Sequence, residues 1–197
     1  MPVTPYSGLL GKENAAHLLR RCTFHFDKDR IEEFANYTAS QAVAALMQSY
    51  TPHLDQPIDY ETAQKWINPE VDIPTGDFKL REYVIAWFID EARRNPGIQH
   101  KMALFLHNSF TASTEGTGNS RRHFDHLQLL LFYALGNIKT MAYKVVVDYV
   151  MLRYLNNNVN TKNSPNENFS REFMELFTIL RGEQVGPEDY SNYTEDD

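Results

Sequence analysis

Apolar residues recur every three or four positions along most of the chain, the spacing of helices with one oily side. Ala15, Leu18, Leu19 and Cys22 predict a helix over Asn14–Phe24, and Ile31 with Phe34 a short one over Asp29–Tyr37. Ser40 reads as the N-cap of a third, with the stripe Val43, Ala44, Leu46 and Met47. Asp77 can cap a longer run to Arg94, carrying Leu80, Tyr83, Val84, Trp87, Phe88 and Glu91, which Asn95-Pro96-Gly97 stops. The next helix is predicted over Pro96–Ala112, with Ile98, Met102, Phe105, Leu106, Ser109 and Phe110 on one side. After a loop from Thr114 to Gly118, helices are expected over Asn119–Leu135 and Ile138–Asn156, the latter facing inward with Met141, Val145, Tyr149, Leu152 and Leu155. The β-branched run Val145–Val147 weakens that last helix, because such side chains lose rotamer freedom there.

Ser164-Pro165-Asn166-Glu167 reads as a helix start: a serine cap, a proline at the first helical position and a glutamate closing a capping box. A helix is predicted from Asn168 to Leu180, with Phe169, Phe173, Leu176, Phe177 and Leu180 apolar, ended by Gly182. Residues 51–77 break the periodicity. They hold Pro52, Pro57, Pro69 and Pro74 of the nine prolines and read as an irregular excursion, with a short helix over Asp59–Ile67. In the acidic tail, Thr194 followed by Glu195-Asp196-Asp197 resembles the opening of a further helix. The expected fold is all-α: an irregular multi-helix bundle of about seven or eight helices. Residues 1–197 read as a single helical domain, the N-terminal portion of a longer protein.

The chain carries 26 acidic against 19 basic residues, a net charge of −7, which disfavours binding to a phosphate backbone. No nucleic-acid partner is therefore expected. The longest apolar run, Leu129–Leu135, is too short to span a membrane. The start has no basic segment followed by an apolar one, so no signal peptide is read and a cytoplasmic location is the default. A single cysteine, Cys22, excludes an internal disulfide. Phosphate-cradling glycine loops, zinc-finger spacing, nucleophile elbows and HExxH helices do not occur in the sequence.

Four stretches resemble a bacterial family known as domain of unknown function 1800. They are Ala15–Phe24, His100–Phe110, Tyr149–Asn156 and Asn166–Thr178. The last is that family's most specific signature. Two departures stand out. Leu106-His107-Asn108-Ser109-Phe110 stands where the family has Trp-His-Asn-His-Phe, which removes a second histidine, and a glycine expected soon after Phe177-Thr178 arrives only at Gly182. The resemblance implies that the chain packs against a C-terminal region absent from it, and that relatives are often exported. It implies no established activity.

Glu167, Arg171 and Glu175 are spaced to share one helix side, with Glu172 three before Glu175. In the plainer reading Ser164, Asn166, Glu167, Asn168 and Arg171 form a structural polar motif, with Arg171 bridging carboxylates along the helix. In a third reading Arg171 is buried and bidentate, and Asn166 or Asn168 fixes the preceding loop. In the functional reading Glu172 and Glu175 meet His107 as acid and base, or Glu167, Glu172, Glu175 and His107 hold a divalent metal. His107 lies past the edge of its apolar stripe, at a boundary or in solvent. His123 and His126, with Asp125 between them, could bind a divalent ion but read better as a mixed polar face beside Arg121 and Arg122. His17 reads as a satisfied boundary residue. The preferred function is a helical scaffold or binding region of a larger protein. The alternative is part of a hydrolase-like or metal-dependent enzyme whose carboxylate/histidine site is completed by a missing C-terminal region.

Overall fold

In the computed structural model, residues 6–48, 56–68, 74–113, 116, 118–165, 167–180, 182–183 and 186 are described. Among them the chain is helical, without a β-strand. The helices are α1 (Gly11–Cys22), α2 (Lys28–Ala35), α3 (Ala39–Leu46), α4 (Asp77–Arg94), α5 (Gln99–Ser109), α6 (Ser120–Tyr133), α7 (Ile138–Val146), α8 (Tyr149–Tyr154) and α9 (Asn168–Glu172). A π-helix over Phe173–Thr178 continues α9. The all-α expectation is met. Asn166, parts of the 51–77 and 114–117 stretches, and the acidic tail from 187 lie outside the described residues.

Capping chemistry sets most helix starts, and it corrects several expected ones. The Asp27 carboxylate accepts the Arg30 N–H at 2.9 Å and opens α2. Thr38, not Ser40, caps α3: its hydroxyl accepts the Gln41 N–H at 3.3 Å while the Gln41 side chain takes the Thr38 N–H at 2.9 Å. Both positions can supply a hydroxyl, and the residue three further on decides, because only Thr38 has a glutamine there to reciprocate. Gly76 is the N-cap of α4, so Asp77 lies just inside the helix and its carboxylate is used elsewhere. The expected Ile138–Asn156 helix is two helices. It breaks after the valine run, where the Asp148 carboxylate caps α8 by accepting the Met151 N–H at 3.2 Å.

Two expected starts do not form. Ser164 is exposed and pairs through its backbone with Thr161, and α9 opens with Glu167 at the cap position making no side-chain cap bond. The Ser164–Glu167 capping box is thus replaced by a tight turn before the helix. Asp59–Ile67 is not helical. Asp59, itself buried, accepts the Glu61 N–H at 3.0 Å, the Thr62 hydroxyl at 2.6 Å and the Thr75 hydroxyl at 2.7 Å. Such local bonds offer the backbone an alternative to the helix. This stretch is also no mere surface excursion, because Trp66 is 1% exposed within the main core.

That main core gathers Leu130, Leu131, Met141, Val145, Val150 and Met151 from α6, α7 and α8 with Val84 and Trp87 of α4. A smaller cluster of Ala15, Leu19, Phe34, Ala42 and Leu46 holds α1, α2 and α3 together. The junction runs through Asn95-Pro96-Gly97. The Ile98 N–H donates to the Leu46 carbonyl at 3.0 Å, and a Cβ on Gly97 would sit 3.0 Å from that same oxygen. A side chain there would press directly on backbone, so the glycine permits the contact as well as ending α4. Several residues of the expected apolar stripes face out instead: Val43 and Ala44 of α3, Met47 just after it, Phe105 of α5, Tyr149 of α8 and Leu176 are exposed. At the C-terminal end Phe110 stacks on Phe177 and Phe169 on Phe173, and the tilted contact of Phe173 with Phe177 joins the two pairs. The chain then turns at Leu180, which takes a left-handed φ of 63°, ahead of the expected stop at Gly182.

Candidate functional site

Helix α6 is anchored at its first turn. Asn119 accepts the Arg122 N–H at 3.0 Å, and the Asp77 carboxylate of α4 accepts both the Ser120 N–H at 2.9 Å and its hydroxyl at 2.8 Å. Trp66 donates its indole N–H to the same Ser120 oxygen at 3.0 Å. Arg81 pairs with Asp77 at 2.8 Å and also donates to the Gly118 carbonyl at 3.0 Å. Burial alone would raise the Asp77 carboxyl, but the Ser120 donors and the Arg81 guanidinium outweigh it and hold it below its ordinary value. The outcome is a fixed register for the residues one turn later, His123 and His126.

Those two histidines are 5% and 0% exposed. Their separation of three residues places both on the inner side of α6, beside Phe124, Leu127 and Leu130. The mixed polar face expected for them is therefore interior. The Asp148 carboxylate stands 2.9 Å from His126 Nδ1, and a carboxylate only accepts, so Nδ1 carries a proton. His107 of α5 faces the pair, its ring centroid 5.7 Å from that of His126 and its plane at 66° to it. His126 Nε2, His123 Nδ1 and His107 Nδ1 are all cut off from solvent with no hydrogen-bond partner among the described residues. Leaving one such group unpaired costs about 1–3 kcal/mol.

Burial pushes the His123 imidazole down to about 4, helped by the neighbouring His126, His107 and Arg81. His107 is lowered too, first by burial and then by His126. Both rings are neutral near neutral pH. They form part of the wall of a cleft of about 560 Å³ between α4, α5, α6 and the turn after α1. Its other walls are apolar, with Phe24, Ile85, Phe88, Ile89, Leu104 and Leu127, and Arg93 stands among them. In a chain with an excess of acids, no described residue lining this cleft is acidic.

The charged residues singled out in the sequence lie apart from this cleft. Glu167 is 82% exposed at its side chain and pairs with Arg171 at 3.2 Å, an ordinary surface pair along one helix side. Arg171 is itself exposed, so it is no buried bidentate brace. Asn168 does fix the preceding loop, donating to the Leu155 carbonyl at 3.2 Å. Glu172 and Glu175 are half-buried, and neither lines the cleft that takes His107. Among the described residues no three His, Cys, Asp or Glu side chains are grouped so as to hold a metal ion. His107 is at a boundary, half-buried, and His17 is exposed. One signal of the interior cluster was available along the chain: His123 and His126 fall in phase with Phe124, Leu127 and Leu130 on a helix whose polar partners, Arg121 and Arg122, fall out of phase.

No described helix is long and apolar enough to cross a membrane. Searches of curated proteins and of solved structures return no match to the chain. A family model described as protein of unknown function (DUF1800) matches residues 17–197, from the middle of α1 to the final residue. With most of its length covered by that match, the chain belongs to this family of unknown function.

Proposed function

We propose that this chain is the binding region of a helical protein, holding a small, mainly apolar ligand in the cleft between α4, α5 and α6. The observation that carries the reading is an apolar cleft of about 560 Å³ with two imidazoles, His107 and His123, set in its otherwise oily wall. Small-molecule sites fall in this size range and set a few polar groups in oily walls to orient the ligand.

The chemistry available is hydrogen bonding to a ligand head group, with the apolar body lying against Ile85, Phe88 and Leu127. Nile red, a neutral dye that brightens in apolar surroundings, tests this on the folded chain. It should bind with a clear rise in fluorescence, and Leu104→Trp, which fills the cleft from its half-buried wall, should remove that rise with the fold intact. Equal brightening with both proteins would place the dye elsewhere and sink the reading.

A further inference from the structure

The electrostatic character of this cleft narrows what it takes, if it is a binding site as argued above. Two imidazoles and one guanidinium reach its surface and no described carboxylate does. The Lys101 ammonium adds to this, lying 3.9 Å from the centroid of the Phe24 ring that forms one wall. Acids in the neighbourhood are already engaged. Asp148 is bound to His126, Asp77 to Arg81, and Asp90 to Arg93 at 3.0 Å. Asp125, on the same helix as His123, is exposed, and desolvation together with Asp148 holds its carboxyl above its ordinary value. The surroundings of His107 and His123 therefore supply no anion to either ring.

In both rings the nitrogen sealed from solvent is Nδ1, so the Nε2 edge is the one each can offer to the cleft. A neutral imidazole there can hydrogen-bond to an alcohol or an amide. A carboxylate does more, because it brings the missing counter-charge and permits a proton to settle between itself and the two rings. We propose that the cleft binds an apolar monocarboxylic acid, seating the carboxylate against the Nε2 edges of His107 and His123 and taking up one proton from solvent as it does so. The proton balance is simple: the acid enters as its anion, one proton enters with it, and the complex is neutral over that pair. Charge-assisted hydrogen bonds are roughly twice as strong as neutral ones, which favours the acid over an isosteric alcohol by about tenfold.

Calorimetric titration of the full chain with two matched pairs, octanoate against octanol and naphthoate against naphthylmethanol, tests this. Run in two buffers of different ionisation enthalpy, it reads proton uptake directly. At least one acid should bind about tenfold more tightly than its alcohol, with about one proton taken up, and should weaken as pH rises from about 6 to about 8. His107→Gln and, separately, His123→Gln should remove the proton uptake and the preference while leaving alcohol binding in place. His107 is only half-buried, so its variant tests the idea even where the His123 variant does not fold. Acid and alcohol binding alike, or an acid binding without proton uptake, would overturn this inference and leave the cleft as a binding site. Failure of every ligand to bind, alongside no Nile red signal, would remove the binding reading itself.

Discussion

A single oxygen of Asp148, Oδ2, lies 2.9 Å from His126 Nδ1 and also accepts the Met151 N–H at 3.2 Å. One carboxylate thus starts α8 and holds the Nδ1 proton of His126, the most deeply buried histidine among the described residues. Removing it withdraws a helix cap and leaves a fully buried N–H without an acceptor.

Asp148→Ala is therefore expected to cost about 2–4 kcal/mol, the sum of a lost cap and an orphaned buried donor. Asp148→Asn keeps an oxygen that can serve both donors and should cost clearly less. Urea denaturation of the two variants measures this difference. Equal losses would mean that the cap and the histidine are not served by the same atom.

Acid should destabilise the protein in a window set by its buried histidines. His100 and His123 are each pushed down to about 4, His100 by burial alone and His123 chiefly by burial. In the unfolded chain they titrate near 6.5. A base whose value is depressed by folding adds stability above its unfolded value, and that stability is lost as pH falls from about 6.5 to about 4. Each ring can account for up to roughly 3 kcal/mol over that window. The lowered carboxyls of Asp59, Asp77 and Asp90 act at lower pH, below the ordinary aspartate value of 3.8, so they do not confuse the result. Denaturation midpoints in steps from about pH 8 to about pH 4.5 should fall, and His100→Phe should flatten the fall, since that ring already packs against Phe88 at 5.4 Å. A flat profile in the wild type would mean that these rings find protons without unfolding.

How legible all this was from the sequence depends on the kind of interaction. Helices α4 and α6 could be read almost to the residue, because their apolar stripes are long and their ends carry Asn95-Pro96-Gly97 and Asn119. Ser164 and Ser40 misled because a hydroxyl is a cap only where a free N–H two or three residues on points back at it, which is a fact of the folded backbone. The Asp59 turn was hidden because Thr75, which completes it, is distant in sequence. The histidine cluster was hidden for the same reason: His107, His126 and Asp148 come from three separate helices or helix starts, and no local spacing joins them.

The two serine and threonine positions make a direct comparison. Thr38→Ala removes one half of an observed capping box and should cost about 1 kcal/mol. Ser164→Ala touches an exposed turn in which the bonds run through the Ser164 backbone and the Thr161 hydroxyl, which accepts the Ser164 N–H at 3.2 Å. It should change stability by less than about 0.5 kcal/mol. A larger loss at Ser164 than at Thr38 would restore the helix start expected from the sequence.

Leu180 offers the opposite case, a position where the native residue is a poor choice. It takes a φ of 63°, and both its N–H and that of Ile179 reach back to the Met174 carbonyl at 3.0 Å. A left-handed conformation costs a residue with a Cβ about 1–2 kcal/mol and costs glycine almost nothing. The side chain is 60% exposed, so little packing would be lost with it. Glycine also gains freedom in the unfolded chain, which offsets part of the benefit. Leu180→Gly is expected to stabilise the protein by about 0.5 kcal/mol, and Leu180→Ala, which keeps the Cβ and so the strain, should not stabilise it at all. Thermal unfolding of the two variants side by side decides the matter. A gain for alanine equal to that for glycine would locate the benefit in the lost oily surface, and the strained turn would then contribute nothing.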